Sequence, residues 1–419
     1  MTGPSDEARA AAREPCGPKS SRDGAEDRQH SGDRPKVVSS ELAGSGSATD
    51  GKAADKKTSG SGRQRRRGKL PAYGALDLGT NNCRLLVARP SRRGFVVIDA
   101  FSRIIRLGEG VAHSGRLSEK AMDRTIHALK VCRDKMRRRG VKRSRLISTE
   151  ACRIAENSDH FISRVFDQTG LELEIINQET EARLAVSGCA SLLDPSSDGA
   201  LIFDIGGGSS ELIWLNLSQR SRNWRASVYD RLDAQNCIEA WTSLPVGVVT
   251  LAEKFGGRDV TPEIFEAMVE DVTGQLAPFE KEHALRKKIS NGGTHLLGTS
   301  GTVTTIAGIK LKLPAYDRKR VDGCWLKDEE VRDVSTSLIH MSYEDRVAQP
   351  CVGADRADLV LAGCAILEAL MRLWPCERLR VADRGLREGM LATMMAEDGY
   401  RGGHRRRRRR SHAPQGHGQ

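Results

Sequence analysis

The chain has no pair of cysteines spaced C-x-x-C, no apolar run long enough to cross a membrane, and no net charge between its tails. Each absence excludes something. Its ten cysteines (Cys16, Cys83, Cys132, Cys152, Cys189, Cys237, Cys324, Cys351, Cys364 and Cys376) are scattered, several of them in apolar periodic stretches. There a free thiol packs as a small hydrophobe, so a metal-thiolate site has little support. No stretch of about 18 apolar residues occurs, and no apolar segment of secretory type follows Met1. The expectation is a cytoplasmic protein in a reducing setting, with no membrane partner.

The formal charge of +12 is a property of the ends. Residues 1–72 hold 15 Lys and Arg against 10 Asp and Glu, and residues 401–419 hold seven Arg and no acid. Residues 73–400 are neutral by count, so the pI near 9.3 says little about what the folded part binds. Large apolar residues are scarce in 1–72, which cannot bury enough surface to offset its chain entropy. We therefore expect disorder over 1–72 and over the Arg-rich 399–419. The run Arg405–Arg410 reads first as a solvated end. Its sharper reading is weak capture of an anionic polymer, polyphosphate or nucleic acid, by counterion release.

What is present begins at Tyr73, where strands alternate with amphipathic helices in an α/β pattern. Strands are expected over Gly74–Val87 (as strand, turn, strand), Phe95–Phe101, Arg145–Ser148, Glu172–Asn177 and Arg378–Ala382. A helix follows Ser118 and is closed by Gly140. Further helices are expected over Ser158–Thr169, Glu179–Leu193, Val248–Phe255, Pro262–Pro278, Glu280–Ile289, Lys327–Met341 and Arg356–Trp374. Ser218–Asn236 carries no assignable pattern. Asp194–Gly199 reads as a hinge between two halves, 73–197 and 198–398.

The most informative feature occurs twice. Leu76-Asp77-Leu78-Gly79-Thr80-Asn81-Asn82 and Phe203-Asp204-Ile205-Gly206-Gly207-Gly208-Ser209-Ser210-Glu211 each end an apolar strand in an acid and a tight polar turn. Glycines let successive N–H groups converge on an anion. A buried carboxylate can hold the cation that phosphate brings with it. Either aspartate alone is explained equally well by bonds to its own turn. The pair favours a phosphate and Mg²⁺ site between two lobes, with Glu211 within reach of the same cation. Thr80, Asn81, Asn82 and the Gly206, Gly207, Gly208, Ser209, Ser210 loop would wrap phosphoryl oxygens.

A third segment, Asn177-Gln178-Glu179-Thr180-Glu181-Ala182-Arg183, starts a helix with acids at i and i+2. These project from different faces, so one of them enters the cleft. Such a carboxylate could orient or deprotonate water, although helix capping is the commoner explanation of Glu-x-Glu at a helix start.

Together these segments, with Gly298-Thr299-Ser300-Gly301-Thr302, Ser243-Leu244-Pro245-Val246-Gly247 and Leu386-Arg387-Glu388-Gly389, resemble the exopolyphosphatase/guanosine pentaphosphate phosphatase (Ppx/GppA) family. The resemblance covers about residues 73–395. It implies the two-lobed actin/sugar-kinase/Hsp70-like (ribonuclease H-like) fold, in a short form without the family's C-terminal HD-type domain. The implied reaction is release of terminal phosphate from polyphosphate or guanosine pentaphosphate with Mg²⁺ or Mn²⁺. By the same resemblance Glu181 is the catalytic base, Arg153 pairs with phosphoryl oxygens, and Asp204, Glu211 and Asp77 hold the metal. The Gly298–Thr302 turn lines the second lobe's side of the cleft, and a homodimer is a further candidate partner. Asn82 and Thr180 depart from the family pattern, the first replacing a serine hydroxyl by an amide. Two other classes stay open: a weakly catalytic polyphosphate or (p)ppGpp sensor, and an actin-like ATPase or sugar kinase.

Overall fold

The structure, a computed structural model, describes residues 70–92, 94–218 and 232–400. The expected disorder of residues 1–69 and 401–419, the Arg405–Arg410 run, and most of the unassigned Ser218–Asn236 stretch lie outside the described residues.

Two mixed sheets repeat one plan. In the first, β1 (Ala72–Leu78) pairs antiparallel with β2 (Asn82–Ser91), which pairs antiparallel with β3 (Gly94–Ile104). On the other side of β1 run the parallel strands β4 (Val141–Ser148) and β5 (Glu174–Ile175). The second sheet repeats this with β6 (Gly199–Ile205), β7 (Ser210–Asn216) and β8 (Ile238–Leu244) antiparallel. Beyond β6 lie β9 (Thr294–Thr299) and β11 (Arg378–Ala382), both parallel, and antiparallel β10 (Trp325–Lys327) closes the edge. The duplicated hairpins β1–β2 and β6–β7 therefore occupy equivalent places.

Local chemistry sets the elements. The helix Glu119–Arg139 starts where the Ser118 hydroxyl accepts the Ala121 N–H at 3.2 Å, and it stops at Gly140, whose φ is 63°. Such a cap contributes about 1 kcal/mol. The helix buries Met122, Ile126 and Leu129 in one core of the first lobe. On that sheet's other face, Leu184 and Ala185 meet Met390, Leu391 and Met394 around Tyr73 and Ala75. The helix Gln178–Cys189 also presents Ala182, Val186 and Cys189 to Ala200, Ile202 and Ile213 of the second sheet. One helix thus serves both lobes. It crosses the terminal helix Leu386–Glu397 so closely that a Cβ on Gly188 would fall onto the Gly385 carbonyl.

Several expectations need correction. Ala72, read as part of the N-terminal tail, is buried in β1, and Tyr400, read as part of the C-terminal tail, meets the Tyr73 ring edge-on at 6.2 Å. Strand β8 was not foreseen, because its exposed positions hide the alternation. Pro278 does not end a helix: Pro262–His283 is continuous, with Val272, Leu276 and Phe279 buried around the proline. Packing there outweighs the roughly 3 kcal/mol that an internal proline costs. The presumed hinge is tied down, with Arg378 paired to Asp194 at 3.0 Å and the Asp198 N–H donating to the Gly293 carbonyl at 2.7 Å. Among the described residues no helix is long and apolar enough to cross a membrane.

Candidate active site

The two turns are built alike. Gly79 N–H donates to the Asn82 carbonyl at 2.9 Å, and Gly206 N–H donates to the Ser209 carbonyl at 2.9 Å. Each turn has its carbonyls held from behind. Ile105 and Arg106 donate to the Asn81 oxygen and Gly108 to the Thr80 oxygen; Val248 and Val249 donate to the Gly206 and Gly207 oxygens. Among the described residues the N–H groups of Thr80, Asn81, Gly207 and Gly208 make no such turn bond, which is the condition for an anion nest. The turns also face each other: a Cβ on Gly207 would sit 3.0 Å from Thr80 Cβ, and one on Gly208 2.8 Å from Thr80 Oγ1. Only glycine permits that approach.

The strands behind the turns are matched in register but not in charge. Asp77 lies opposite Arg84, whereas Asp204 lies opposite Glu211. Arg84 sits at the same offset from its aspartate as Glu211 does, a signal that our reading of the sequence missed. Ser209 and Ser243 hydroxyls donate to one oxygen of Glu211 at 2.8 and 3.0 Å and fix that carboxylate.

Glu181 enters the same pocket, which also holds Asp77, Thr80, Asn81, Asn82, Glu150, Asp204, Gly206, Gly207, Gly208, Ser209 and Glu211. The helix start explains why. Asn177 accepts the Thr180 N–H at 2.8 Å as cap, which turns Glu181 inward and leaves Glu179 outside, paired with Arg183 at 2.8 Å. Glu181 is 6% exposed. Its Oε2 accepts two bonds from Arg153, each 3.1 Å, while Oε1 makes no hydrogen bond among the described residues.

Arg153 differs from expectation. It does not face the pocket with free donors: Nε and Nη2 bind Glu150 Oε2 at 2.8 and 2.6 Å, and Nη1 also binds the Ile176 carbonyl at 2.8 Å. Two buried carboxylates hold it as their common counter-ion. Ser210 is a second correction. Its hydroxyl donates to the Val246 carbonyl at 2.7 Å and does not line the pocket. The Ser300–Thr302 stretch of the third glycine turn does line it.

Burial and mutual repulsion raise the carboxylates. Burial lifts Glu181 well above its ordinary pKa, the charge of Glu211 adds to it, and Arg153 only partly opposes it. Burial and then Glu211 raise Asp204 in the same way. Burial also raises Asp77, against Arg84 and Arg387, and Glu211 is raised despite its two serine donors. So many hard oxygen donors with uncompensated charge fit a divalent cation. Among the described residues, however, no three acids converge at ligand spacing. The donor set therefore suits an ion such as Mg²⁺, which takes one or two carboxylates and fills its shell from water and phosphate oxygens.

On the far side of Asp77 and Asp204 the cleft widens into a second compartment of about 550 Å³. Arg84, Arg318, Arg356, Arg384 and Arg387 line it. Arg318 and Arg384 are paired with Glu388 and Asp322. The guanidinium groups of Arg84, Arg356 and Arg387 make no hydrogen bond or ion pair among the described residues. Burial lowers the Arg387 pKa, and Glu388 only partly offsets it. Arg84 and Arg387 offset part of the negative charge at Asp77, and together with Arg356 they make this compartment locally basic.

Comparison with known proteins agrees with this architecture. The model of the Ppx/GppA phosphatase family matches residues 86–398. A guanosine-5'-triphosphate,3'-diphosphate pyrophosphatase of Photobacterium profundum is 28% identical over 334 residues, 78% of this chain and 60% of that protein. A bifunctional 3-dehydroquinate synthase/phosphatase of Fusobacterium nucleatum is 28% identical over 71% of this chain and 42% of its own length. The chain thus spans about 60% or less of the curated relatives it matches. Among solved structures, the Aquifex aeolicus member of the Ppx/GppA family superposes with a TM-score of 0.61 at 28% identity, covering 78% of this chain and 98% of that one. An exopolyphosphatase from Cytophaga hutchinsonii shares the fold with a TM-score of 0.68 at 24% identity, covering 80% of this chain and all of its own. The two-lobed, actin-like α/β fold and the family match over most of the described chain lead to one conclusion: this protein is a member of the Ppx/GppA phosphatase family.

Proposed function

We propose that the chain releases terminal orthophosphate from inorganic polyphosphate or from guanosine pentaphosphate by in-line attack of water. The observation that carries this reading is Glu181. It is a buried carboxylate facing both phosphate turns, held by Arg153 through one oxygen and free at the other. A sugar kinase would also place a carboxylate to take the proton of its acceptor hydroxyl, so the hydrolase reading leans on the family match as well as on Glu181.

In this reading the terminal phosphoryl group lies against the edge of the two abutting turns, where the N–H groups of Thr80, Asn81, Gly207, Gly208 and Ser209 meet its oxygens. Glu181 Oε1 accepts a proton from water as the water oxygen bonds to phosphorus and the bond to the leaving oxygen breaks. Burial and the charge of Glu211 raise its pKa, which makes the ionised carboxylate a stronger base. Arg153 acts through Glu181 by fixing its rotamer. Mg²⁺ or Mn²⁺ on Asp204 and Glu211, with Asp77 beside them, would neutralise phosphoryl oxygens and orient the terminal group. The in-line path sends the leaving phosphates away from Glu181, toward Arg84, Arg356 and Arg387.

The test is phosphate release from medium-length polyphosphate and from guanosine pentaphosphate with Mg²⁺, comparing the wild type with Glu181→Gln. The amide keeps shape and loses basicity, so kcat should fall by about 10²–10⁴ with KM little changed. A Gln variant as fast as the wild type would overturn the mechanism. Preference between the two substrates follows from the ratio of their kcat/KM values.

A further inference from the structure

Residues 105–110 touch both lobes. On one side they carry the first phosphate turn: Ile105 and Arg106 N–H donate to the Asn81 oxygen at 2.8 and 3.0 Å, and Gly108 N–H to the Thr80 oxygen at 2.9 Å. On the other side the Arg106 guanidinium spans both oxygens of Asp358, at 2.8 and 3.1 Å. The Gly110 N–H donates to Glu253 Oε1 at 2.9 Å. Glu253 belongs to the helix Val248–Phe255, whose first N–H groups hold the second phosphate turn. Asp358 stands two residues after Arg356, which reaches the cleft. The segment therefore closes a mechanical circuit from one turn to the other.

Arg106 itself is strained. Its φ is 46°, a left-handed conformation that a non-glycine residue keeps only when several contacts fix it. Here those contacts are a backbone bond to the first turn and a two-point ion pair to the second lobe. The pair is only partly exposed, 32% for the Arg106 side chain and 22% for Asp358, so salt screens it incompletely. Behind it, Asn81 Oδ1 and Glu253 Oε2 are buried without a hydrogen-bond partner among the described residues, and Arg106 adds a bond to the Asp355 carbonyl at 3.4 Å.

We infer that Arg106 is a positioning residue: through Asp358 it latches the two lobes and fixes the spacing between the phosphate turns. The latch acts on a population. If it is lost, part of the protein opens, and the apparent affinity falls by the fraction that stays closed. Substrate at saturation recloses the cleft, so the maximal rate is preserved. The kinetic half of this inference rests on the phosphate-release reading above; the conformational half does not.

The experiment compares Asp358→Asn, and the charge-reversed pair Arg106→Asp with Asp358→Arg, against the wild-type chain. Two readouts are taken, hydrogen exchange by mass spectrometry and phosphate release from polyphosphate. Asp358→Asn should raise KM by about fivefold with kcat unchanged, and 0.5 M salt should bring the wild type toward the variant. Exchange should quicken in the segments holding residues 79–82 and 105–110 while β1, β4, β6 and β9 keep their protection. Charge reversal should recover both. Unchanged KM and exchange overturn the latch, and so does a fall in kcat with exchange rising through both sheets, which marks a general loss of fold. If neither polyphosphate nor guanosine pentaphosphate is hydrolysed, the proposed function fails, and the exchange result still decides the latch.

Discussion

Arg153→Ala is the substitution that separates a phosphate-binding arginine from an arginine that serves the protein's own carboxylates. The side chain makes five hydrogen bonds, to Glu150, Glu181 and the Ile176 carbonyl, within 2.6–3.1 Å. Both glutamate side chains are 8% exposed and Arg153 itself 17%. Removing one partner of such a buried set costs about 3–5 kcal/mol, because the remaining charges stay desolvated. For a folded part of this size that is roughly 4–7 °C in Tm. The loss has a defined pH dependence. Without Arg153, Glu181 is pushed further above the unfolded glutamate value, so the folded variant binds more protons than its unfolded chain. Its deficit is therefore small at low pH and grows as pH rises through the raised folded values. Catalysis should suffer separately: a freed Glu181 rotamer costs about 10² in kcat, and the acid limb of the pH–rate profile moves upward. Thermal melts from pH 5 to 8 and the kcat profile would measure both. A variant that melts within 2 °C of the wild type and keeps KM-independent activity would refute the clamp. A rise in KM alone would return Arg153 to the phosphate-binding role read from the sequence.

Two further predictions follow from local geometry. Gly247→Ala would place a Cβ 2.5 Å from the Gly207 oxygen, on backbone that cannot yield, so the glycine loop must move. Loss of phosphate release with the fold retained, checked by circular dichroism, is the expected result, and an active variant would show that the loop is not the cradle. Asp99 tests the surface electrostatics. Burial pushes its carboxyl up, but hydrogen bonds from Lys135 and Arg139, both 2.7 Å, bring it down to about 2. Its contribution is present above the unfolded aspartate pKa of about 3.9 and is lost as pH falls toward 2. Asp99→Asn should therefore lower Tm by a few degrees at pH 7, with the gap closing between pH 4 and 2. A gap independent of pH would assign the effect to something other than the ion pairs.

The amino-acid sequence by itself determined what depends on neighbours along the chain. Ser118 and Gly140 bound a helix because a cap needs only a hydroxyl three residues from an N–H and a left-handed glycine. The two turns were legible for the same reason, and the i, i+2 spacing of Glu179 and Glu181 put them on different faces while leaving open whether either served more than the helix cap. Tertiary structure decided everything that depends on which distant group arrives first. Arg153 binds two buried glutamates, one of them 28 residues away, because desolvated carboxylates outbid a ligand site for its donors. Arg84, Arg356 and Arg387 gather from three separate elements around one compartment, which no local pattern could show. Pro278 stays within a helix, and β8 forms behind exposed side chains, because core packing overrides local preference. The chain could specify two glycine-bearing turns on its own; only the fold could bring them face to face, with Arg106 bridging from the first to Asp358.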